Sequence, residues 1–178
     1  MIHLTLDLFN SILEATTIKP RLKRELRFVA SASSMSEEDW EDIEIFPVKD
    51  RSGNKGTLFV QIAEGLFVLP YELKRTANSA ITGRAEAIIC DICKTWQSGS
   101  NAASISFIGT KKASTNIAYL CCADLACSSH VRTKTAASKV SRAQLRENMD
   151  NEQRVARLNE RLKNITEYVA AVPIQYTV

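Results

Sequence analysis

The N-terminal pattern of apolar and polar positions predicts helices. Apolar residues recur every three to four positions over residues 4–15, and a second amphipathic stretch follows Pro20 to about Ala32. Proline is tolerated in the first turn of a helix, because its missing N–H has no partner there. Residues 36–39 (Ser-Glu-Glu-Asp) have the form of a capping box and predict a short helical turn that places Trp40.

The C-terminal third has the same helical period. Its apolar stripe predicts a helix that ends before Pro173, and the members are Val155, Leu158, Leu162, Ile165 and Val169. The stripe lasts barely two heptads, so we interpret it as a core face rather than a dimerising coil and expect a monomer.

The middle of the chain is typical of strands. The predicted strands are 43–49, 57–62, 66–69, 104–109 and 115–120. Short glycine-containing loops join the first three, which predicts an antiparallel meander. Pro47 requires an edge strand or a bulge, because proline donates no hydrogen bond. Residues 71–86 suggest a short helix leading to the first cysteine pair.

Composition fits an ordinary globular protein. The chain has 178 residues, 45% hydrophobic and 24% charged, enough for one domain with a small extension. This excludes collagen-like, low-complexity and disulfide-miniprotein classes. No apolar stretch approaches the roughly 20 residues that span a bilayer, and Asp7 interrupts the apolar N terminus, which has no basic leader. We therefore expect a cytoplasmic protein with no membrane partner.

The net charge of +3 is unevenly distributed. Six of the eight residues from Glu37 to Glu44 are acidic, whereas nine Lys or Arg and four acids lie between Arg132 and Lys163. The two stretches are either solvated faces of opposite sign or a functional basic surface beside an acidic one.

The cysteines are the most informative feature. All five lie between residues 90 and 127, in a chain expected in a reducing compartment, where paired cysteines are more often metal ligands than disulfides. Cys90 and Cys93 form a C-x2-C pair, and Cys122 and Cys127 form a C-x4-C pair after 28 intervening residues. Zn²⁺ takes four such ligands at tetrahedral corners. A knuckle, a hairpin and a helix-borne pair in this order predict a treble-clef zinc finger with one structural zinc.

Other interpretations of the cysteines are weaker. A thioredoxin-like site needs one pair in a parallel βαβ unit, iron–sulfur sites have tighter spacings, and inert buried cysteines would not explain two ordered pairs. Cys121 and Cys122 would face opposite sides of a strand, so only one is a ligand, and we choose Cys122. His130 could replace one sulfur.

The chain offers little for catalysis. A closed four-thiolate site leaves no position for water or substrate. The sequence has two histidines, and its glycines form turns rather than a phosphate-binding loop. We expect a protein that is not an enzyme.

The segment from Tyr119 to Arg132 (YLCCADLACSSHVR), together with the upstream Cys90–Cys93 pair, resembles a known family. The family is the FBP-type C-terminal treble-clef zinc finger of bacterial elongation factor G-binding proteins, including the fusidic-acid-resistance proteins. The likeness spans about residues 37–169. It implies that the four paired cysteines are the metal ligands, and that the protein binds elongation factor G and influences its release from the ribosome.

A basic surface near the zinc finger is the expected contact for that acidic partner. Its members are Lys111 and Lys112 at the hairpin tip, His130, Arg132 and Lys134 at the helix start, and Lys94 and Trp96 beside the knuckle. The alternative is an RNA- or ribosome-binding zinc module.

Together these features predict an α+β fold: an antiparallel meander plus a treble-clef finger, with N-terminal helices and a C-terminal helical segment. We expect an N-terminal helical segment over 1–36 and an α+β domain over 37–178, with the zinc finger at about 86–140.

Overall fold

A computed structural model gives the architecture. It describes residues 1–26, 28, 32, 35–76, 78, 83, 85–108, 117–135 and 148–175. The helices are α1 (Leu6–Ala15), α2 (Pro20–Glu25), α3 (Glu37–Glu41), α4 (Cys127–Val131) and α5 (Asn151–Tyr168). The strands are β1 (Ile45–Lys49), β2 (Lys55–Ile62), β3 (Gly65–Arg75), β4 (Ile88–Ile89), β5 (Trp96–Gln97), β6 (Ala102–Phe107) and β7 (Ala118–Cys122).

Five of the strands form one antiparallel sheet in the order β1-β2-β3-β6-β7. The predicted meander is confirmed as β1–β3, and the hairpin of β6 and β7 adds to its β3 side. Pro47 lies on the edge strand β1, where its missing N–H interrupts no ladder. The short strands β4 and β5 make a separate two-stranded hairpin. The α+β class is confirmed.

The prediction of a helix over residues 71–86 is wrong for residues 71–75, which are strand. Strand β3 continues to Arg75, and Tyr71 and Leu73 pair with Phe107 and Ile105 of β6. Tyr71 and Leu73 are buried whereas Lys74 is exposed, which is the period of two that a half-buried strand requires. The local sequence fits a helical turn equally well, so pairing with β6 decides the conformation.

Each side of the sheet has its own core. The first core packs α5, α4 and the cysteines against side chains such as Leu58, Leu69 and Ile105. The second packs the N-terminal helices and Trp40 against side chains that include Val48 and Phe59. The N-terminal segment therefore shares a core with the sheet, and the division at residue 36 stays a prediction.

The helix signals are confirmed in part. Ser36 and Asp39 form the predicted capping box of α3, and its Trp40 is buried. Helix α2 ends at Glu25, well before Ala32, because Leu26 has an extended backbone and is buried in the second core.

The C-terminal stripe is part of the first core. Asp150 caps α5, and Leu158, Leu162 and Ile165 are buried beside the cysteines, with Val155 packed at the margin. This confirms the core interpretation of the stripe. Among the helices described here, none is both long and apolar enough to cross a membrane.

Candidate metal centre

The four paired cysteines converge at one end of the first core. Cys90 follows β4, Cys93 lies in the turn before β5, Cys122 ends β7, and Cys127 begins α4. All four are buried, and none forms a disulfide. The predicted topology of knuckle, hairpin and helix-borne pair thus brings together sulfurs from two distant parts of the sequence.

The separations of the sulfurs match a tetrahedral metal site. The Sγ atoms of Cys93 and Cys122 are 3.5 Å apart, and that of Cys127 lies 3.9 Å from those of Cys90 and Cys122. Zn–S bonds of about 2.3 Å at tetrahedral angles separate sulfurs by about 3.8 Å. All four lie within 4.8 Å of one another. The chemistry and spacing of these donors fit one structural zinc ion, as predicted.

The knuckle turn is held by backbone bonds. The N–H of Cys93 donates to the sulfur of Cys90 (3.4 Å), and the N–H of Lys94 donates to the carbonyl of Cys90 (2.8 Å). Lys94 has a φ of 58°, the left-handed conformation that turns the chain toward β5. The pairing of Ile89 with Trp96 closes the hairpin around the cysteine pair.

The second pair lies on a turn that an aspartate organises. Asp124 Oδ1 accepts from the N–H of Ala126 (3.0 Å), and the N–H of Leu125 donates to the carbonyl of Cys122 (3.0 Å). Leu125 is also left-handed, with a φ of 60°. This turn leads from β7 into α4, so that the sulfurs of Cys122 and Cys127 lie on the same side, 3.9 Å apart.

The electrostatics of the cluster favour a cation. Hydrogen bonds from the thiols of Cys122, Cys127 and Cys93 lower the pKa of Cys90. The sulfurs of Cys122, Cys90 and Cys93 in turn raise the pKa of Cys127. Four buried thiolates repel one another, so a divalent ion is needed to hold them all deprotonated.

The fifth cysteine lies outside the cluster. Cys121 is fully buried in the core, and burial raises the pKa of its thiol. Cys122, its neighbour on β7, carries the sulfur that meets the other three. Strand alternation predicted that only one of the two is a ligand, and the choice of Cys122 agrees with this placement.

His130 is engaged inside the protein instead of projecting as a basic group. Its side chain is 1% exposed, with Nδ1 2.6 Å from Thr135 Oγ1 and Nε2 3.2 Å from Asp124 Oδ1. It also lies near Cys122, together with Asp124. Both ring nitrogens have protein partners, so His130 braces the turn of the second cysteine pair.

Arg132 and Lys134 also make internal contacts. Arg132 is 14% exposed and forms a two-pronged bond with Glu44, and both Arg132 and Lys134 pair with Asp42. The sequence predicted these residues at the start of a helix, as free basic groups. His130 and Arg132 instead lie at the C-terminal end of α4 and are mostly buried, so the expectation is corrected for both. Lys134 keeps 52% exposure.

The remaining predicted contact residues differ in how much the structure shows. Lys94 is partly exposed and pairs with Asp91 at 3.5 Å, and Trp96 is half-buried on β5. Lys111 and Lys112 lie outside the described residues.

Sequence reasoning missed the residues that join the centre to the rest of the fold. The Ser128 hydroxyl accepts from the N–H groups of Glu44 (2.9 Å) and Ile45 (3.2 Å). Asn101 bonds the backbone and the carboxylate of Asp124. The one available signal was the position of Asp124 between two paired cysteines, since aspartate commonly bonds the backbone two residues ahead.

Comparison with known families matches residues 17–169 to the FBP C-terminal treble-clef zinc-finger. The chain belongs to this family. The FBP match includes both cysteine pairs, and it starts before residue 37, so it takes in α2 as well as the sheet and the metal centre. No curated protein and no solved structure matches the chain.

Proposed function

We propose that this FBP-family protein is a cytoplasmic, non-catalytic zinc protein that binds translation elongation factor G and influences its release from the ribosome. The observation that carries the proposal is the family membership, joined to a four-cysteine site of the expected geometry. The resemblance that links this zinc finger to elongation factor G supplies the partner.

Two features support a non-catalytic role. A zinc ion with four thiolate ligands has no open position for water or a substrate atom. A cavity of about 590 Å³ does lie between the end of α1, β3 and the C-terminal segment, and residues such as Ile18, Phe107 and Val172 line it. The described residues of its wall are apolar or uncharged polar, so they supply no side chain that commonly acts as a general acid or base.

In this proposal the zinc acts through rigidity. It fixes the knuckle, the end of β7 and α4 relative to one another, so that side chains around them meet a partner with little loss of conformational entropy. Lys94 and Trp96 on the knuckle and Lys134 beyond α4 are the described candidates for that contact.

The RNA-binding alternative has weaker support. Arg132, Lys134 and Lys94 each pair with an acidic side chain, and such pairing reduces the charge available to an acidic partner. RNA binding is affected more than a protein contact, because contacts with phosphates supply most of its affinity. An RNA-binding module would lose affinity steeply with salt, by about 0.7 to 0.9 in log K per log unit of salt for each phosphate contacted.

Size-exclusion chromatography of the zinc-loaded protein with purified elongation factor G tests the proposal. We expect co-elution at low and moderate salt, and loss of the complex after chelation or in Cys127→Ser. Lys94→Glu should weaken the complex by about tenfold, or 1.4 kcal/mol. Lys55→Glu, a charge-matched change on β2, serves as its control. Absence of a complex at both salt concentrations would refute the proposal.

A further inference from the structure

A line of polar side chains leads away from the first cysteine pair. Thr95 Oγ1 lies 3.0 Å from Cys93 Sγ, and Gln97 Nε2 donates to the same hydroxyl at 2.9 Å. Asn101 Nδ2 in turn donates to Gln97 Oε1 at 2.8 Å. The path therefore runs from a metal-binding sulfur through β5 to the 3₁₀ turn Gly99–Asn101.

Asn101 continues this line to the second cysteine pair. Its Nδ2 donates to Asp124 Oδ2 (2.9 Å), and its Oδ1 accepts from the N–H of Asp124 (3.1 Å). Its carbonyl accepts from the N–H of Ala123 (2.9 Å). Three hydrogen bonds from one residue thus hold the segment that follows Cys122.

The line is buried at its centre. Gln97 is 0% exposed, and both ends of its amide are bonded. A buried amide group that loses its hydrogen-bond partner lowers the stability of the fold by about 1–3 kcal/mol. Breaking either bond of Gln97 is therefore costly, and the two bonds stabilise one arrangement of Thr95, Gln97 and Asn101. Asp124 also accepts a hydrogen bond from the N–H of Ala126 and contacts His130 on α4, so it connects Asn101 to the start and the end of that helix.

The hydrogen bonds of Asp91 also connect the first cysteine pair to the strand of the second, but they meet that strand before Cys122. The backbone and carboxylate of Asp91 bond the backbone of Leu120, upstream of Cys122 on β7. They align the knuckle with the strand but do not reach the 123–126 turn. Among the residues that the structure describes, Asn101 is the one whose side chain connects that turn to β5.

We propose that Asn101 is a positioning residue for the metal centre, holding the two cysteine pairs at metal-binding separation through Gln97 on one side and Asp124 on the other. A tetrahedral site tolerates little change in the distance between sulfurs. If the pairs are aligned by protein bonds, zinc binding loses less free energy to ordering, and a dissociating ion is recaptured more readily. The inference concerns metal retention and is independent of the proposed partner.

The rate of zinc transfer from the loaded protein to a chromogenic chelator tests this proposal. Asn101→Asp places a carboxylate against Asp124 and Gln97 Oε1, and we expect zinc release to accelerate by about tenfold, the lower end of the effect of residues that orient metal ligands. Asn10→Asp, the same change at an exposed position on α1, should leave the rate unchanged.

The exchanged pair gives a second readout. In Asn101→Asp/Asp124→Asn the amide and the carboxylate trade places, so the bond between them is restored. Gln97 can rotate its amide to donate to the new carboxylate, but the Thr95 hydroxyl must then give its one proton to Gln97 Oε1 and no longer to Cys93 Sγ. We expect this double variant to recover part of the slow release, through the restored bond between positions 101 and 124. An effect of Asn101 that does not depend on its bond with Asp124 would give no recovery, since the double variant carries two changes.

Two further measurements distinguish positioning from loss of stability. Thr5→Ala removes the N-cap of α1, which packs in the core without the cysteines, and should lower the free energy of unfolding with no change in zinc release. The ligand-field bands of the Co²⁺-substituted protein should shift or broaden in Asn101→Asp and in the milder Asn101→Ser, which is available if the first does not fold. Zinc release at the parental rate in both Asn101 variants, or equal acceleration in Thr5→Ala, would overturn the proposal.

Discussion

Two residues with left-handed backbone shape the turns of the metal centre. Lys94 follows the first cysteine pair and Leu125 lies within the second, and neither is glycine. An L-residue in this conformation costs roughly 1–2 kcal/mol relative to the right-handed region. The bonds that hold each turn offset that cost, and the strain lies where the chain must reverse around the sulfurs.

Lys94→Gly should stabilise the zinc-loaded protein by up to about 1 kcal/mol, because glycine adopts positive φ without steric cost. The gain is reduced by loss of the exposed pair with Asp91, which is worth less than about 1 kcal/mol. Lys94→Val should be clearly destabilising, since a β-branched residue at positive φ is strongly disfavoured. Denaturant unfolding of both variants checks this, and equal losses in the two would contradict it.

At the scale of elements, α4 is fastened to the α3–β1 corner. Ser128 bonds the backbone at the start of β1, and Arg132 pairs with Glu44 and Asp42. The acidic stretch of residues 37–44 therefore serves in part to hold the zinc-bearing helix against the sheet. One consequence is that charge runs far apart in sequence compensate each other in the fold.

Arg132→Ala should destabilise the protein by about 3 kcal/mol, because it leaves the Glu44 carboxylate, 9% exposed, without its cation. Lys134→Ala removes the exposed partner of Asp42 and should cost less than about 1 kcal/mol. Chemical denaturation of the zinc-loaded variants measures both. Similar losses for the two substitutions would show that burial of the Arg132–Glu44 pair carries no special weight.

Helix α5 contributes through its buried stripe. Leu162→Ala should lower the free energy of unfolding by about 2–5 kcal/mol, since it leaves a cavity in the core that also holds the cysteines. Asn164→Ala, an exposed change on the same helix, should alter it by less than about 0.5 kcal/mol. Thermal or denaturant unfolding separates them, and a small effect at Leu162 would place the stripe outside the core.

At the scale of the whole molecule, the metal centre closes one end of the first core. The four sulfurs lie in the same buried cluster as α5 and the inner face of the sheet. The second core, on the N-terminal side of the sheet, contains none of these cysteines. Loss of the metal should therefore affect the two sides of the sheet unequally.

Cys127→Ser, or chelation of the parent protein, should unfold the zinc-finger end first. Structural zinc contributes on the order of 10 kcal/mol in small fingers, more than the net stability of most domains. Hydrogen exchange should show protection lost in β4, β5 and α4 before the amides of α1 and β1. Cys121→Ser, a buried non-ligand change, is the control and should leave zinc stoichiometry at one. A Cys127→Ser protein that melts like the parent would contradict a structural role for the metal.

The sequence by itself determined the features that depend on local pattern and donor chemistry. Four features could be predicted because each depends on a few neighbouring residues or on ligand spacing. They are the period of α5, the capping box at Ser36, the meander and the two cysteine pairs. Only the tertiary structure determined the conformation and burial of residues whose partners are distant in sequence. Pairing with β6 made residues 71–75 a strand, and the packing of α4 beside β1 buried Arg132 against Glu44. Contacts that span up to 92 residues depend on how the layers pack, and no local pattern specifies them.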